Sequence, residues 1–173
     1  MRLPFFLTAF LGCALAAAAV PVSAATTCSS EADQSAYDVL TLRTMMILLA
    51  TKCGHDQDYN KNFIVRFQPA LQSNEREVIA YFRRIYGRAG QARKDTFSTE
   101  LVNVMSQQAN LQGAEFCPRA LWIVSEMNAL RTLDELAPYA AVKDLSPVGM
   151  SMCPPGAPRS ESRPTRRRAP RHR

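Results

Sequence analysis

Between Glu31 and Lys52 the chain runs 22 residues without a glycine or proline, and a cysteine stands just outside each end, Cys28 before and Cys53 after. Val39, Leu42, Met46, Leu49 and Cys53 repeat there at alternating spacings of three and four, which puts one apolar stripe on a single helical face. Ser30 and Asp33 fit a capping box, in which a side-chain oxygen and an acid serve the unpaired amides of the first turn. A helix rises 1.5 Å per residue, so Cys28 and Cys53 stand ~35 Å apart. A disulfide needs Cα atoms within about 7 Å, so these two cannot pair with each other. Whatever bridges they form must reach other segments.

The residues before this helix read as a leader. Met1-Arg2 is a short positive start, Phe5 to Val20 is apolar and alanine-rich, Pro21 breaks the run, and Val22-Ser23-Ala24 offers small residues for cleavage. We expect a bacterial-type signal peptide over 1–24, which discards Cys13 and places the protein in the periplasm or outside the cell. No transmembrane span is expected after cleavage. Four cysteines then remain, Cys28, Cys53, Cys117 and Cys153, and an even count in an exported chain reads as two disulfides. None has the spacing of a C-x-x-C redox, zinc or haem motif.

Charge is concentrated at the other end. Residues 154–173 hold seven arginines and one glutamate, whereas the chain without Arg2 and this tail has 13 basic and 14 acidic residues. The pI of 9.3 therefore describes a tail rather than a body. Proline, serine and arginine without apolar anchors build no core, so a disordered basic tail is expected over 154–173, with Arg166, Arg167 and Arg168 at its centre. The span 25–153 is one domain, long enough to bury a core.

Strand signals are nearly absent. A second helical stretch is expected from Tyr59 to Tyr86, kinked or divided by Pro69 near Gln68, with Val78, Phe82 and Ile85 inward. A third runs from Gln91 to Leu111 with Phe97, Leu101, Val104 and Leu111 inward. A fourth opens at Pro118 and continues to Leu136, burying Leu121, Val124, Met127 and Leu130. Pro138 starts a short extra turn through Val142. These segments and their short connections predict an all-α, four-helix up-down-up-down bundle. In that topology Cys53 and Cys117 share one end and Cys28 and Cys153 the other, giving the pairs Cys53–Cys117 and Cys28–Cys153. The alternative, Cys28–Cys117 with Cys53–Cys153, requires helices one and four to run parallel.

Chemistry-bearing motifs are few. In "CGHDQDYN", residues 53–60, Asp56, Asp58 and Asn60 match the first, third and fifth positions of an EF-hand loop. Lys61 stands where its glycine belongs and Phe67 where its bidentate glutamate belongs. His55 has no second histidine in the body, since His172 lies in the tail. We read this stretch as a helix corner, with Gly54 ending one helix and Asp56 or Asp58 opening the next. Glu-x-x-His pairs, H-E-x-x-H, G-x-G-x-x-G and phosphate-loop patterns are missing. Glu75 with Glu77 and Asp134 with Glu135 are the acid pairs, and Glu100 and Glu126 complete the carboxylates that could converge in a pocket. No catalytic residue, metal ligand or cofactor is expected.

The strongest signal in the body is Tyr81–Lys94, "YFRRIYGRAGQARK", where Arg83, Arg84, Arg88, Arg93 and Lys94 occur without an acid, among Tyr81, Phe82 and Tyr86. Guanidinium forks bind phosphate, sulfate and carboxylate bidentately, although basic residues also favour the C-terminal end of a helix for its dipole. Together with the tail these residues predict an exported, non-enzymatic envelope-associated binding or accessory protein. Its partners would be an anionic envelope surface or polyanion, with a protein or small apolar ligand on the helical body. Sequence-specific nucleic-acid recognition is not expected, as no recognition-helix or RNA motif occurs. A carboxylate-dependent periplasmic hydrolase and a stress-protective chaperone are the alternatives.

Overall fold

The computed structural model describes residues 28–147 together with Cys153; the expected leader over 1–24 and tail over 154–173 lie outside the described residues. Among the described residues the structure is helical, with no strand. Five α-helices follow in order: α1 Glu31–Cys53, α2 Gln68–Tyr86, α3 Gly90–Gln112, α4 Phe116–Ala129 and α5 Leu136–Lys143. A wider π-helical stretch, Asp58–Val65, precedes α2, and short 3₁₀ turns at Gly87–Ala89, Gly113–Glu115 and Leu133–Glu135 join the later helices.

The first helix is closed at both ends by local chemistry. Ser30 and Asp33 form the full capping box, and Gly54 ends the helix at φ 76°, its amide donating to Ala50 and Leu49 carbonyls. A left-handed residue there favours glycine, because a Cβ would meet the neighbouring carbonyl. Between these caps α1 is buried around most of its circumference: Leu42, Met46 and Leu49 are sealed completely, with Val39, Leu40 and Leu48 nearly so. Thr41 and Thr44 are buried as well, and their hydroxyls donate to the Tyr37 and Leu40 carbonyls, so neither hydroxyl is stranded. An all-round apolar helix is a central one, and α1 packs against α2, α3, α4 and α5.

Pro69 divides the second stretch where its chemistry demands. Its missing N–H and its ring end the preceding register, and α2 restarts with the proline in its first turn. The π-helical residues before it carry Tyr59 and Phe63, whose rings stack at 6.3 Å, and Phe63 meets Phe67 at 6.0 Å. Phe63 and Phe67 are both fully buried, worth about 2–3 kcal/mol each against exposure. At the other end of α2, Phe82 packs on Phe97 of α3 at 5.3 Å, and Phe97 on Tyr37 of α1 at 5.7 Å, so three helices share one aromatic junction.

Four expectations need correction. On α3 the inward stripe is Leu101, Met105 and Ala109, so Leu111, two residues and roughly 200° further round, points outward at 88% exposure. On α4 the inward residues are Ala120, Ile123, Val124 and Met127, which leaves Leu121 at the edge, 37% exposed. The fourth helix also starts two residues before Pro118 and stops at Ala129 rather than Leu136. Leu130 turns extended, and Glu135 reaches back to accept from the Arg131 amide at 2.7 Å, starting a new segment. That segment, α5, is a packed helix rather than a turn: Leu136 and Ala140 are buried against the core.

Cys28, Cys53, Cys117 and Cys153 lie within bonding distance in two pairs. Cys53 and Cys117 tie the C-terminal end of α1 to the first turn of α4, with Cα atoms 5.6 Å apart. Cys28 and Cys153 stand 4.8 Å apart by Cα, and the Cys153 amide donates to the Ser29 carbonyl at 2.9 Å.

Two stability outcomes follow from this packing. Cys53–Cys117 closes a loop of 64 residues, so the C53S/C117S double variant should lose about 2–4 kcal/mol in urea unfolding. Gly90 opens α3 against the backbone of α2: a Cβ built there would lie 2.6 Å from Arg83 Cα and 2.7 Å from Arg83 N. Glycine to alanine usually stabilises a helix by about 1 kcal/mol. Here the clash with backbone reverses the sign, and Gly90→Ala should cost about 1–3 kcal/mol in the same assay.

Candidate functional site

The cationic stretch forms the corner between α2 and α3, and the structure divides its five charges into two kinds. Arg84 turns inward, where its guanidinium donates to Asp33 Oδ2 at 2.5 Å and stacks over the Tyr81 ring at 5.2 Å. Lys94 is largely covered and pairs with Glu75, with Asp95 at 3.5 Å; Arg43 of α1 reaches the same Glu75 at 3.8 Å. Both therefore join helices. Arg83 and Arg88 are exposed and meet no carboxylate among the described residues. Arg93, also exposed, lies over the exposed Tyr86 ring at 5.7 Å. Arg83, Arg88 and Arg93 are the charges this corner offers to solvent, while the remaining candidates, Arg166, Arg167 and Arg168, lie outside the described residues.

Asp33 is the acid on which the corner is built. Burial pushes its carboxyl up, but Arg84, the Ser30 hydroxyl and the Ser30 amide donate to it, and together they hold it below the usual aspartate range. Its neighbour Tyr81 is pushed up, first by burial and then by the Asp33 charge.

The stretch Cys53–Asn60 is a corner between helices. Cys53 is bridged, Gly54 caps α1, and His55 Nδ1 lies 2.9 Å from Asp58 Oδ2. Asp58 Oδ1 accepts from Asn62 at 2.9 Å and from Asn128 of α4 at 3.2 Å. The hydrogen bond from His55 leads the interactions that hold this carboxyl below its ordinary range. Asn60 bonds back to the Asp56 carbonyl. These side chains are engaged in joining the corner to α4, and no cluster of three or more metal-binding side chains occurs among the described residues.

The acid pairs separate. Glu75 faces Lys94 and Arg43, whereas Glu77 lies beside a cleft between α1, α2 and the Leu133–Glu135 turn. Asp134 lines the same cleft, while Glu135 is spent on the Arg131 amide, the largest of the effects that keep its exposed carboxyl below the ordinary range. Glu126 pairs with Lys143, whose ammonium sits 4.3 Å above the Trp122 ring, and accepts from Tyr139. Burial, reinforced by the Glu126 charge, pushes the Tyr139 phenol up. Glu100 stands exposed on α3. The cleft brings Glu77 and Asp134 together with Asn74, a buried residue that sequence reasoning passed over. A signal was present: Asn74 falls on the inward stripe between Leu71 and Val78, a polar residue at an apolar position.

Replacing Asp33 by Asn should remove the charge-assisted bonds and strand Arg84 against the core, costing about 2–3 kcal/mol at neutral pH. Because the folded carboxyl titrates below its unfolded value, its contribution is complete above about pH 4 and disappears as pH falls through the lower folded value. Chemical unfolding from pH 7 down to pH 2 should thus show an acid loss in the native chain that Asp33→Asn reduces, the remainder coming from Asp58 and Glu135. Among the described residues no helix is long and apolar enough to cross a membrane. Searches against protein families, curated proteins and solved structures found no match to this chain.

Proposed function

We propose that this chain is an exported, non-enzymatic accessory protein that attaches to anionic surfaces of the cell envelope through arginines. The observation carrying this reading is the division at the α2–α3 corner. Arg84 and Lys94 are paired with acids, while Arg83, Arg88 and Arg93 face solvent with no carboxylate partner among the described residues. Solvated guanidinium groups keep their full reach for phosphate and carboxylate oxygens, because no internal pair has to be broken first. The Arg83 backbone is pressed against Gly90, so the base of one arginine is held in place. Arg166, Arg167 and Arg168, in the basic tail over 154–173, supply the second basic segment, and a polyanionic surface gathers both.

The leader over 1–24 delivers the protein to the periplasm or beyond, and the folded domain is 25–153. Its helices take an up-down-up-down order. Three contacts support this: Asp33 with Arg84 joins the start of α1 to the end of α2, Lys52 with Asn110 joins the ends of α1 and α3, and Cys53–Cys117 joins the end of α1 to the start of α4. In that order the α2–α3 corner lies at the end opposite the Cys53–Cys117 bridge.

Co-sedimentation with vesicles containing anionic phosphatidylglycerol tests the attachment. Each basic residue near such a surface is worth about 1 kcal/mol, so the R83Q/R88Q/R93Q variant should bind about a hundredfold more weakly. Rising salt should release the unsubstituted chain. Equal binding by the variant would remove the corner from the site, and binding indifferent to salt would sink the electrostatic reading altogether.

A further inference from the structure

Four chain segments meet at the end of the domain where α1 begins. Cys153 is bridged to Cys28, and its amide donates to the Ser29 carbonyl, one residue before the α1 cap at Ser30. Asp33 in the first turn of α1 holds Arg84 in the last turn of α2. Arg83, beside it, packs on Gly90 where α3 opens. The chain therefore leaves the fold at Cys153 within the same end that carries Arg83, Arg88 and Arg93. The 20 residues after Cys153 hold seven arginines and one glutamate, the first arginine being Arg159. An extended residue spans at most about 3.6 Å, so Arg159 begins no more than about 22 Å from the bridge. Glu31 and Asp95 are exposed at this end too, and the excess of arginine over glutamate in the tail outweighs them.

The corner also offers an aromatic ring. Tyr86 closes α2 at 47% exposure, between Arg83 and Arg88 in the chain. An amphipathic ring among arginines suits the headgroup level of a bilayer, where guanidinium groups reach phosphates and the ring meets the edge of the acyl region. A soluble polyanion would use the arginines alone. Building on the attachment proposed above, we infer that the arginine corner and the tail are one docking face, and that its occupant is an anionic phospholipid bilayer on which the domain stands end-on. In that arrangement α1 points away from the surface and carries the Cys53–Cys117 bridge about 34 Å from it. Trp122, five residues past Cys117 on α4, lies about 8 Å along that helix from the bridge and stays clear of the lipid.

The chain has one tryptophan, which makes the orientation readable. The full chain, purified with both disulfides formed, is bound to vesicles of phosphatidylglycerol and phosphatidylcholine with brominated acyl chains, since bromine quenches indole on contact. Trp122 emission in the unsubstituted chain should not change on binding. In Y86W/W122F the indole at position 86 should shift to the blue and lose about half its emission or more, because it enters the interface. Adding R83Q/R88Q/R93Q, at lipid concentrations high enough for the tail to keep the variant bound, should abolish that quenching. R166Q/R167Q/R168Q in Y86W/W122F should instead keep the quenching and weaken binding about a hundredfold. Quenching of Trp122 would put α4 on the lipid and overturn the end-on arrangement, as would an unquenched indole in bound Y86W/W122F. Either result leaves attachment itself standing, whereas failure of the unsubstituted chain to sediment with the vesicles would remove attachment and this face together. Binding to polyphosphate in place of vesicles would make a soluble polyanion the occupant and overturn the bilayer.

Discussion

A helix of 23 residues is a rod about 34 Å long, and α1 imposes that length on everything around it. Its capping box and its Gly54 terminus fix where it begins and ends, and the cysteines just outside its start and at its last residue are consequently held at opposite ends. Neither can close a local loop. One bridge reaches Cys153, 125 residues on, and the other reaches Cys117, 64 residues on. Long closures restrict the unfolded chain more than short ones do, so the separation forced by the rod sends both bridges between distant segments. The other helices then bury α1 on most sides, and buried Thr41 and Thr44 are tolerated because the helix supplies their acceptors locally.

Features written in contiguous residues were legible in the sequence. Ser30 with Asp33, Gly54 after Cys53 and Pro69 after Gln68 each act within a few residues of themselves, and each marks its boundary in the structure. Two cysteine pairings followed from rod length and chain direction, which need no side-chain detail. The fourth helix was misjudged because its end carries neither glycine nor proline. Its signal is Thr132 followed by Glu135, the spacing of a capping box, with the Glu135 carboxylate turned back onto the main chain at Arg131 and Thr132. Leu111 was misplaced because α3 selects Leu101, Met105 and Ala109, and an apolar residue off that stripe has nowhere to go but solvent.

The candidate sites were legible to different degrees for a physical reason. The α2–α3 corner is one run of sequence, so its arginines could be listed, but their states depend on acids far away in the chain: Asp33 for Arg84 and Glu75 for Lys94. The cleft draws on residues from three segments, and only folding brings Val39, Asn74 and Asp134 to one place. Asn74 could have been noticed as a polar residue on an apolar stripe.

Pairing is what separates the charges of this protein into structural and available ones. Arg84 gives up much of its hydration and recovers it through an aspartate held by three donors and an aromatic face; such a group is strained by any change of partner. Arg83 and Arg88 keep their water, cost the fold little, and are free to exchange that water for an external anion. Glu77 and Asp134 stand in the same relation to Asp33 as the free arginines do to Arg84. The two unpaired sets have opposite sign and different settings, an exposed helix corner for the arginines and the edge of a cleft with an apolar floor for the carboxylates. Had they been adjacent they would have neutralised one another; α2 carries Glu77 and Arg83 on one helix, two turns or less apart, without a pair forming between them. The fold thereby keeps two unpaired sets of opposite charge apart on one small domain.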